Sequence, residues 1–194
     1  MKKKIKYQIK QSIKVKESLI DMCTDDIEKA VIVIIKTLNN GGKILWCGNG
    51  GSAADAQHLS TELMGGMTDH HRKPIPSIAL TTDTSFLTAW SNDTDFDSVF
   101  SRQIQGIGLE GDVLVGISTS GNSENILSAI KQAKYRGIST ILFTGKTGGK
   151  IGGISDVSIC VPCDDTQRIQ ESHIMIGQII CGLVEDSILK DKNE

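Results

Sequence analysis

Ser118, Thr119, Ser120, Gly121, Asn122 and Ser123 have the chemistry of a cup for a small anion. Their four hydroxyls are donors that a phosphate oxygen can accept. They follow an apolar run, Asp112 to Ile117, that reads as a buried strand, and precede Glu124 to Lys131, which reads as a helix. The first N–H groups of a helix lack internal partners, and the helix dipole favours negative charge there. A strand, a hydroxyl-rich turn and a helix start therefore predict a phosphate site. Gly48, Asn49, Gly50, Gly51 and Ser52 form a second strand-to-helix turn. The dinucleotide spacing GxGxxG fails there, but the glycines permit tight turning and close approach of a ligand to the backbone.

His58 and Glu62 stand four residues apart on the helix that follows this second loop, so they share one face. Alone, such a pair is more often a surface hydrogen bond. Its place near the carboxyl edge of a parallel sheet, where open α/β folds bind ligands, favours a site. Asn92 and Asp93, after the next strand, are placed to line the same edge. Arg168, Gln170, Glu171 and His173 open the last helix, where periodicity alone suggests a capped amphipathic start. Two tempting motifs fail. Gly145-Lys146-Thr147 would need glycine at position 140 to make a nucleotide loop, and Thr140 stands there. Cys160 and Cys163 have CxxC spacing at a strand end with no second pair to complete a zinc site.

The elements that must position these groups alternate along the chain. Residues 1–40 read as N-terminal helices, with Ile5, Ile9 and Ile13 on one stripe and Thr24, Asp25 and Asp26 as the start of a second helix. Short apolar strands follow at 43–47, 77–81, 112–117, 139–144 and 157–161, separated by helices at 53–63, 84–91, 96–107 and from 124. A long helix over 166–190 closes the chain. This order predicts an α/β fold, a five-stranded parallel sheet flanked by helices, with a helical extension at 1–40 and a core and closing helix at 41–194.

Composition narrows the function. The 194 residues suit one domain, and the net charge of −2 recommends neither nucleic acid nor a membrane surface. The basic start, Met1 to Lys6, is not followed by an uninterrupted apolar stretch, because Lys10, Lys14 and Lys16 break it, and no segment is expected to span a bilayer. Five scattered cysteines fit a reducing cytoplasm.

Taken together, CGNGGSAADAQHLSTEL at 47–63, IALTTDTS at 78–85, Asn92-Asp93, VFSRQ at 99–103, GDVLVGISTSGNS at 111–123, TGKTGGK at 144–150 and RIQESH at 168–173 resemble the phosphoheptose isomerase family of the sugar isomerase (SIS) fold. The resemblance spans about residues 40–188 and implies a single SIS domain over 1–194. It implies conversion of sedoheptulose 7-phosphate to D-glycero-D-manno-heptose 7-phosphate, for lipopolysaccharide or capsule precursors, by a cytoplasmic homotetramer with active sites at subunit interfaces. It places phosphate on Ser118, Thr119, Ser120 and Ser123. It places the sugar near Asn49, Gly50, Gly51, Ser52, Asn92, Asp93 and Gln170. It implies zinc on His58, Glu62 and Gln170, with a histidine of the last helix as fourth ligand.

Aldose–ketose isomerisation moves a carbon-bound proton to the neighbouring carbon, and Glu62 suits the base. The family's acid, which is also that fourth ligand position, is a histidine eight residues beyond the RIQ glutamine. Here the residue is Gln178, which can donate a hydrogen bond but not a proton, and which serves zinc poorly. The family also commonly has arginine four residues after the base, and this chain has Gly66. Three readings follow: an active isomerase, with His173 a candidate substitute acid; a related enzyme for another phosphosugar; or a non-catalytic SIS protein that binds a phosphosugar or a protein partner, as in a branch associated with the bacterial replication initiator.

Overall fold

The computed structural model describes residues 1–190. Its five strands are all parallel: β1 (Ile44–Gly48), β2 (Ser77–Ala79), β3 (Val113–Ser118), β4 (Ser139–Gly145) and β5 (Val157–Val161), in the order β2-β1-β3-β4-β5. The helices are α1 (Lys2–Asn39), α2 (Gly51–Gly65), α3 (Thr84–Asp93), α4 (Val99–Ile107), α5 (Glu124–Tyr135), α6 (Gly149–Gly152) and α7 (Thr166–Lys190).

Central strands β1 and β3 are buried along their whole length, because helices cover both faces. Side chains alternate between those faces. Ile44, Trp46, Val113, Val115, Ile117 and Phe143 pack with α1, α2 and α7. Leu45, Cys47, Leu114 and Leu142 pack with Phe100 and Ile104 of α4 and Ile126 and Ile130 of α5. Parallel strands put all their carboxyl ends at one edge. The order reverses between β1 and β3, and a crevice opens outside such a switch point. The two loops singled out by chemistry, after β1 and after β3, flank it.

Three expectations need correction. The N-terminal helices are one helix of 38 residues, about 57 Å long at 1.5 Å per residue. Thr24 starts nothing: its hydroxyl donates back to the carbonyl of Ile20 at 2.6 Å inside an unbroken helix, which lacks any glycine or proline to stop it. Ile5, Ile9 and Ile13 do form a stripe, but an exposed one. Second, α7 is by length and composition apolar enough to cross a membrane, with a mean hydropathy of 1.3 over an 18-residue stretch of Thr166–Leu189, where no spanning segment was expected. It packs instead against α1 and α2, with Ser172, His173 and Glu185 buried along it. Third, the helix expected at 96–107 begins at Val99, after Asp95 accepts from the N–H of Ser98 at 2.6 Å.

Glu185 ties α7 to the loop that leaves α2. Its carboxylate accepts from the N–H groups of Met67 (2.8 Å) and Thr68 (2.7 Å), the Thr68 hydroxyl and Nε of Arg72 (2.7 Å). Arg72 also donates to the carbonyl of Glu62 at 3.0 Å, so the C-terminal end of α2 is held from outside. Burial alone would raise the Glu185 carboxyl. The Met67 N–H, the Thr68 hydroxyl, Arg72 and the Thr68 N–H outweigh it and hold the group at about 2.

A carboxyl held below its unfolded value stabilises the fold fully above that unfolded value, near 4.5. The contribution falls away as pH drops toward about 2. Unfolding stability is therefore expected to decline through this acidic window. Glu185→Gln, which leaves a buried guanidinium unpaired, should cost about 3–5 kcal/mol by urea denaturation at neutral pH and flatten the acid dependence. A change within 0.5 kcal/mol would remove the clamp from the account of stability.

Candidate functional site

The two loops are joined by a reciprocal amide pair. Asn49 Nδ2 donates to Asn125 Oδ1 at 2.8 Å, and Asn125 Nδ2 donates to Asn49 Oδ1 at 2.8 Å. Asn125 is buried in the first turn of α5. This lock uses one of the two amide N–H groups of Asn49 and one lone pair of its carbonyl oxygen, and fixes the direction of the rest of the side chain. The sequence reading missed Asn125. The only signal was a second asparagine three residues beyond Asn122.

Both helices at the crevice start without a side-chain cap. Gly50 precedes α2, and Ser123 precedes α5. Ser123 is a residue type that normally caps. Its hydroxyl instead lies 3.1 Å from that of Ser118. By contrast, α3 is capped in the ordinary way, with Asp83 accepting from the N–H of Phe86 at 2.9 Å. At α2 the N–H groups of Ser52 and Ala53 turn back to the carbonyls of Asn49 (3.0 Å) and Gly50 (3.1 Å). Among the described residues nothing takes the first-turn N–H groups of α5, which with the positive dipole end are left for an anion. Within the cup, the Ser120 hydroxyl accepts from the N–H of Asn122 at 3.1 Å, and Asn122 in turn accepts from the N–H of Lys150 at 3.0 Å. Gly121 has a φ of +64°, and an added Cβ would meet the carbonyl oxygen of Gly148 at 2.1 Å, so this turn needs glycine.

Further along α2, three polar side chains meet. His58 Nε2 lies 2.9 Å from Glu62 Oε1, and Gln178 Nε2 lies 2.9 Å from His58 Nε2 and 3.0 Å from Glu62 Oε1. Gly177 makes this possible: a Cβ there would meet Leu59 Cδ1 at 2.4 Å, so α7 approaches α2 as only glycine allows. The rotation of α2 is set from its other side, where buried Trp46 Nε1 donates to Ser77 Oγ at 2.9 Å and Ser77 bonds Ser60 at 3.1 Å. Glu62 Oε1 receives the donors. Among the described residues no protein donor bonds its Oε2. Burial raises the Asp55 carboxyl one turn earlier on α2, and His58 partly offsets that.

Several expected site residues sit elsewhere. Gln170 lies over the first loop: a Cβ on Gly51 would meet its Nε2 at 2.8 Å. Its position eight residues before Gln178 on α7 is about 12 Å along the helix, so it is not part of the His58, Glu62 and Gln178 trio. Asn92 and Asp93 bond each other at 2.8 Å, exposed at the end of α3, and among the described residues no contact links them to the trio. His173 is fully buried, with its Nε2 at 3.1 Å from the Thr144 carbonyl and its Nδ1 unpaired, and burial lowers it to about 4. It is a core residue and not a substitute acid. Gly66 has a φ of +101°, a backbone an arginine could not adopt without strain, so the loop after α2 is built for glycine. The cysteines Cys160 and Cys163 are free, and the Cys160 carbonyl accepts from the Cys23 thiol at 3.4 Å.

Zinc can be tested against these donors. Zinc takes imidazole, thiolate and carboxylate. The trio supplies one imidazole and one carboxylate, and the third corner is an amide nitrogen, which donates hydrogen bonds and offers no lone pair. No group of three or more His, Cys, Asp or Glu side chains is placed to hold a metal ion among the described residues. The donor set does not fit a resident zinc.

This architecture is that of a SIS-domain protein, and the SIS domain model matches residues 8–145. That span includes both loops, His58 and Glu62, and ends before α7. A phosphoheptose isomerase of Sulfurimonas denitrificans is 48% identical over 193 residues, covering 98% of each chain. One of Aneurinibacillus thermoaerophilus is 50% identical over 190 residues, covering 97% of this chain and 96% of its own. The solved phosphoheptose isomerase of Neisseria gonorrhoeae superposes with a TM-score of 0.89 at 43% identity, over 94% of this chain and 98% of that one. The chain belongs to the phosphoheptose isomerase family.

The amide lock is open to direct test. Asn125→Leu keeps the branched heavy-atom outline, leaves Asn49 without its partner, and should destabilise the protein by about 1–3 kcal/mol by chemical denaturation. A loss below about 0.5 kcal/mol would mean that the two loops are held together by other contacts.

Proposed function

We propose that the chain is a cytoplasmic phosphosugar isomerase that interconverts sedoheptulose 7-phosphate and D-glycero-D-manno-heptose 7-phosphate, supplying heptose for lipopolysaccharide or capsule. The observation that carries this reading is Glu62: one carboxylate oxygen is anchored by donors, and among the described residues no protein donor bonds the other, on the helix whose N-terminus borders the crevice. Ser118, Thr119, Ser120 and Ser123, with the open N–H groups of α5, grip the phosphate. Asn49, Gly50, Gly51, Ser52 and Gln170 border the sugar. Glu62 removes a proton from C1 of the ketose. As the C1–C2 double bond of the enediol forms, O2 takes a proton from solvent water, to which the O1 hydroxyl proton is later returned. Glu62 then returns its proton to C2 while the O1 hydroxyl proton leaves, giving the aldose. Glu62 needs only to hold and move one proton between adjacent carbons.

The crevice and the base are far apart within one subunit. Glu62 lies eleven residues beyond Gly51, about 16 Å along α2. This supports a homotetramer whose active sites combine residues of neighbouring subunits, with Asn92 and Asp93 reaching the sugar of a partner. The exposed Ile5, Ile9 and Ile13 of α1, and Ile179 and Leu183 of α7, are apolar surface available for such contacts. Neither nucleic acid nor a membrane is part of this reading. The family resemblance implies zinc on His58, Glu62, Gln170 and Gln178, but no step here is assigned to it. Gln178, where the family has histidine, favours a second reading in which the chain binds phosphosugar without turnover.

Purified protein incubated with sedoheptulose 7-phosphate should give the aldose by NMR. Glu62→Gln should lower kcat about 10²–10⁴-fold and stop exchange of the C1 proton with solvent deuterium. Absence of turnover by the unaltered protein, with the sugar phosphate still raising its melting temperature, would favour the binder. Exchange that persists in Glu62→Gln would remove Glu62 as the base.

A further inference from the structure

We infer that Gln178 puts a hydrogen-bond donor where the resemblance implies a zinc ligand, so that this chain orients Glu62 with hydrogen bonds and not with a metal. Donor chemistry carries the inference: the amide brings N–H groups and no imidazole, thiolate or carboxylate lone pair. With the proton of His58 on Nε2, the contacts of Gln178 (3.0 Å) and His58 (2.9 Å) with Glu62 Oε1 are both hydrogen bonds, and the 2.9 Å Gln178–His58 edge is a contact of two donor nitrogens. The amide N–H of Gln178 and the Nε2–H of His58 converge on Glu62 Oε1, and charge-assisted bonds of this kind fix a carboxylate's direction. Turning the amide over would present a neutral carbonyl oxygen, a donor that suits hard cations better than zinc.

The amide has little freedom to withdraw. Leu59 packs against the bare Cα of Gly177, and Cys181 Sγ donates to the Leu59 carbonyl at 3.7 Å. Gln178 is therefore carried by a tightly seated stretch of α7 and is a positioning residue for Glu62. The inference concerns the donor set and stands apart from turnover, so a failure of the isomerase reading leaves it open to test.

The full-length protein would be given one equivalent of zinc and competed with a chromophoric chelator, alongside Gln178→His and a His58→Ala/Glu62→Ala double variant. The unaltered chain should give up its zinc as readily as the double variant. Gln178→His should hold one zinc per chain at least about 10–100-fold more tightly, since loss of even an outer partner of a metal ligand costs that much. Retention of one zinc per chain by the unaltered protein, as tight as in Gln178→His, would overturn the inference. So would a Gln178→His variant that folds, by circular dichroism, yet gains no affinity. Gln178→Leu, which lacks donors, should lower kcat with KM within about twofold while leaving the melting temperature near that of the parent. An unchanged kcat would deny Gln178 its positioning role.

Discussion

The seat of Leu59 against Gly177 is the constraint on which the trio rests. A single methyl group at 177 would meet Leu59 at 2.4 Å and push α7 off α2. Gln178, the next residue, would leave His58 and Glu62 with it. The same two helices are tied a second time, where Glu185 of α7 gathers the N–H groups after α2 and the guanidinium of Arg72, which in turn holds the Glu62 carbonyl. The carboxylate proposed as base is thus fixed through its backbone and through one of its oxygens. Rigid support of this kind gives a proton-transfer group its direction before substrate arrives.

The crevice has a different origin, in topology. Only the order β2-β1-β3-β4-β5 puts the loops after β1 and β3 on either side of a reversal. Those loops then behave unlike ordinary helix starts. Ser123 turns its hydroxyl to Ser118 instead of capping α5, and α2 starts behind a glycine. The donors left open at α5 are what a phosphate uses, and the Asn49–Asn125 pair holds the two loops at a fixed spacing. The buried amide pair carries no charge; the charged side chains at the cavity beside Thr119, Ser120 and Asn122 are Lys146 and Asp164.

The sheet was legible in the sequence because fully buried parallel strands are short apolar runs bounded by glycine and polar turns. Ile44–Gly48, Val113–Ser118 and Ser139–Gly145 are of this kind. Both strand-to-helix loops and the shared face of His58 and Glu62 followed from strand-to-helix order and helical spacing. What was illegible depended on contacts distant in the chain. Thr24 reads as a cap until the helix on both sides of it is seen to continue. His173 reads as a site residue because burial is set by β4 and not by its neighbours. Gln170 and Gln178 look equivalent on one helix, but the first lies over Gly51 and the second between His58 and Glu62. Asn125 carries little local signal and Glu185 none, since their partners lie 76 and 113 to 118 residues away.

The claim at the centre is that one sugar phosphate joins the hydroxyl cup to the anchored carboxylate. The crystal structure of the Glu62→Gln protein with sedoheptulose 7-phosphate measures that directly. Phosphate oxygens within hydrogen-bond distance of Ser118 to Ser123 and the N–H groups of α5, with C1 and C2 beside residue 62 of the same or a neighbouring subunit, are the predicted result. A phosphate bound away from the α5 N-terminus, or a sugar whose C1 and C2 lie far from residue 62 of every subunit, would contradict it.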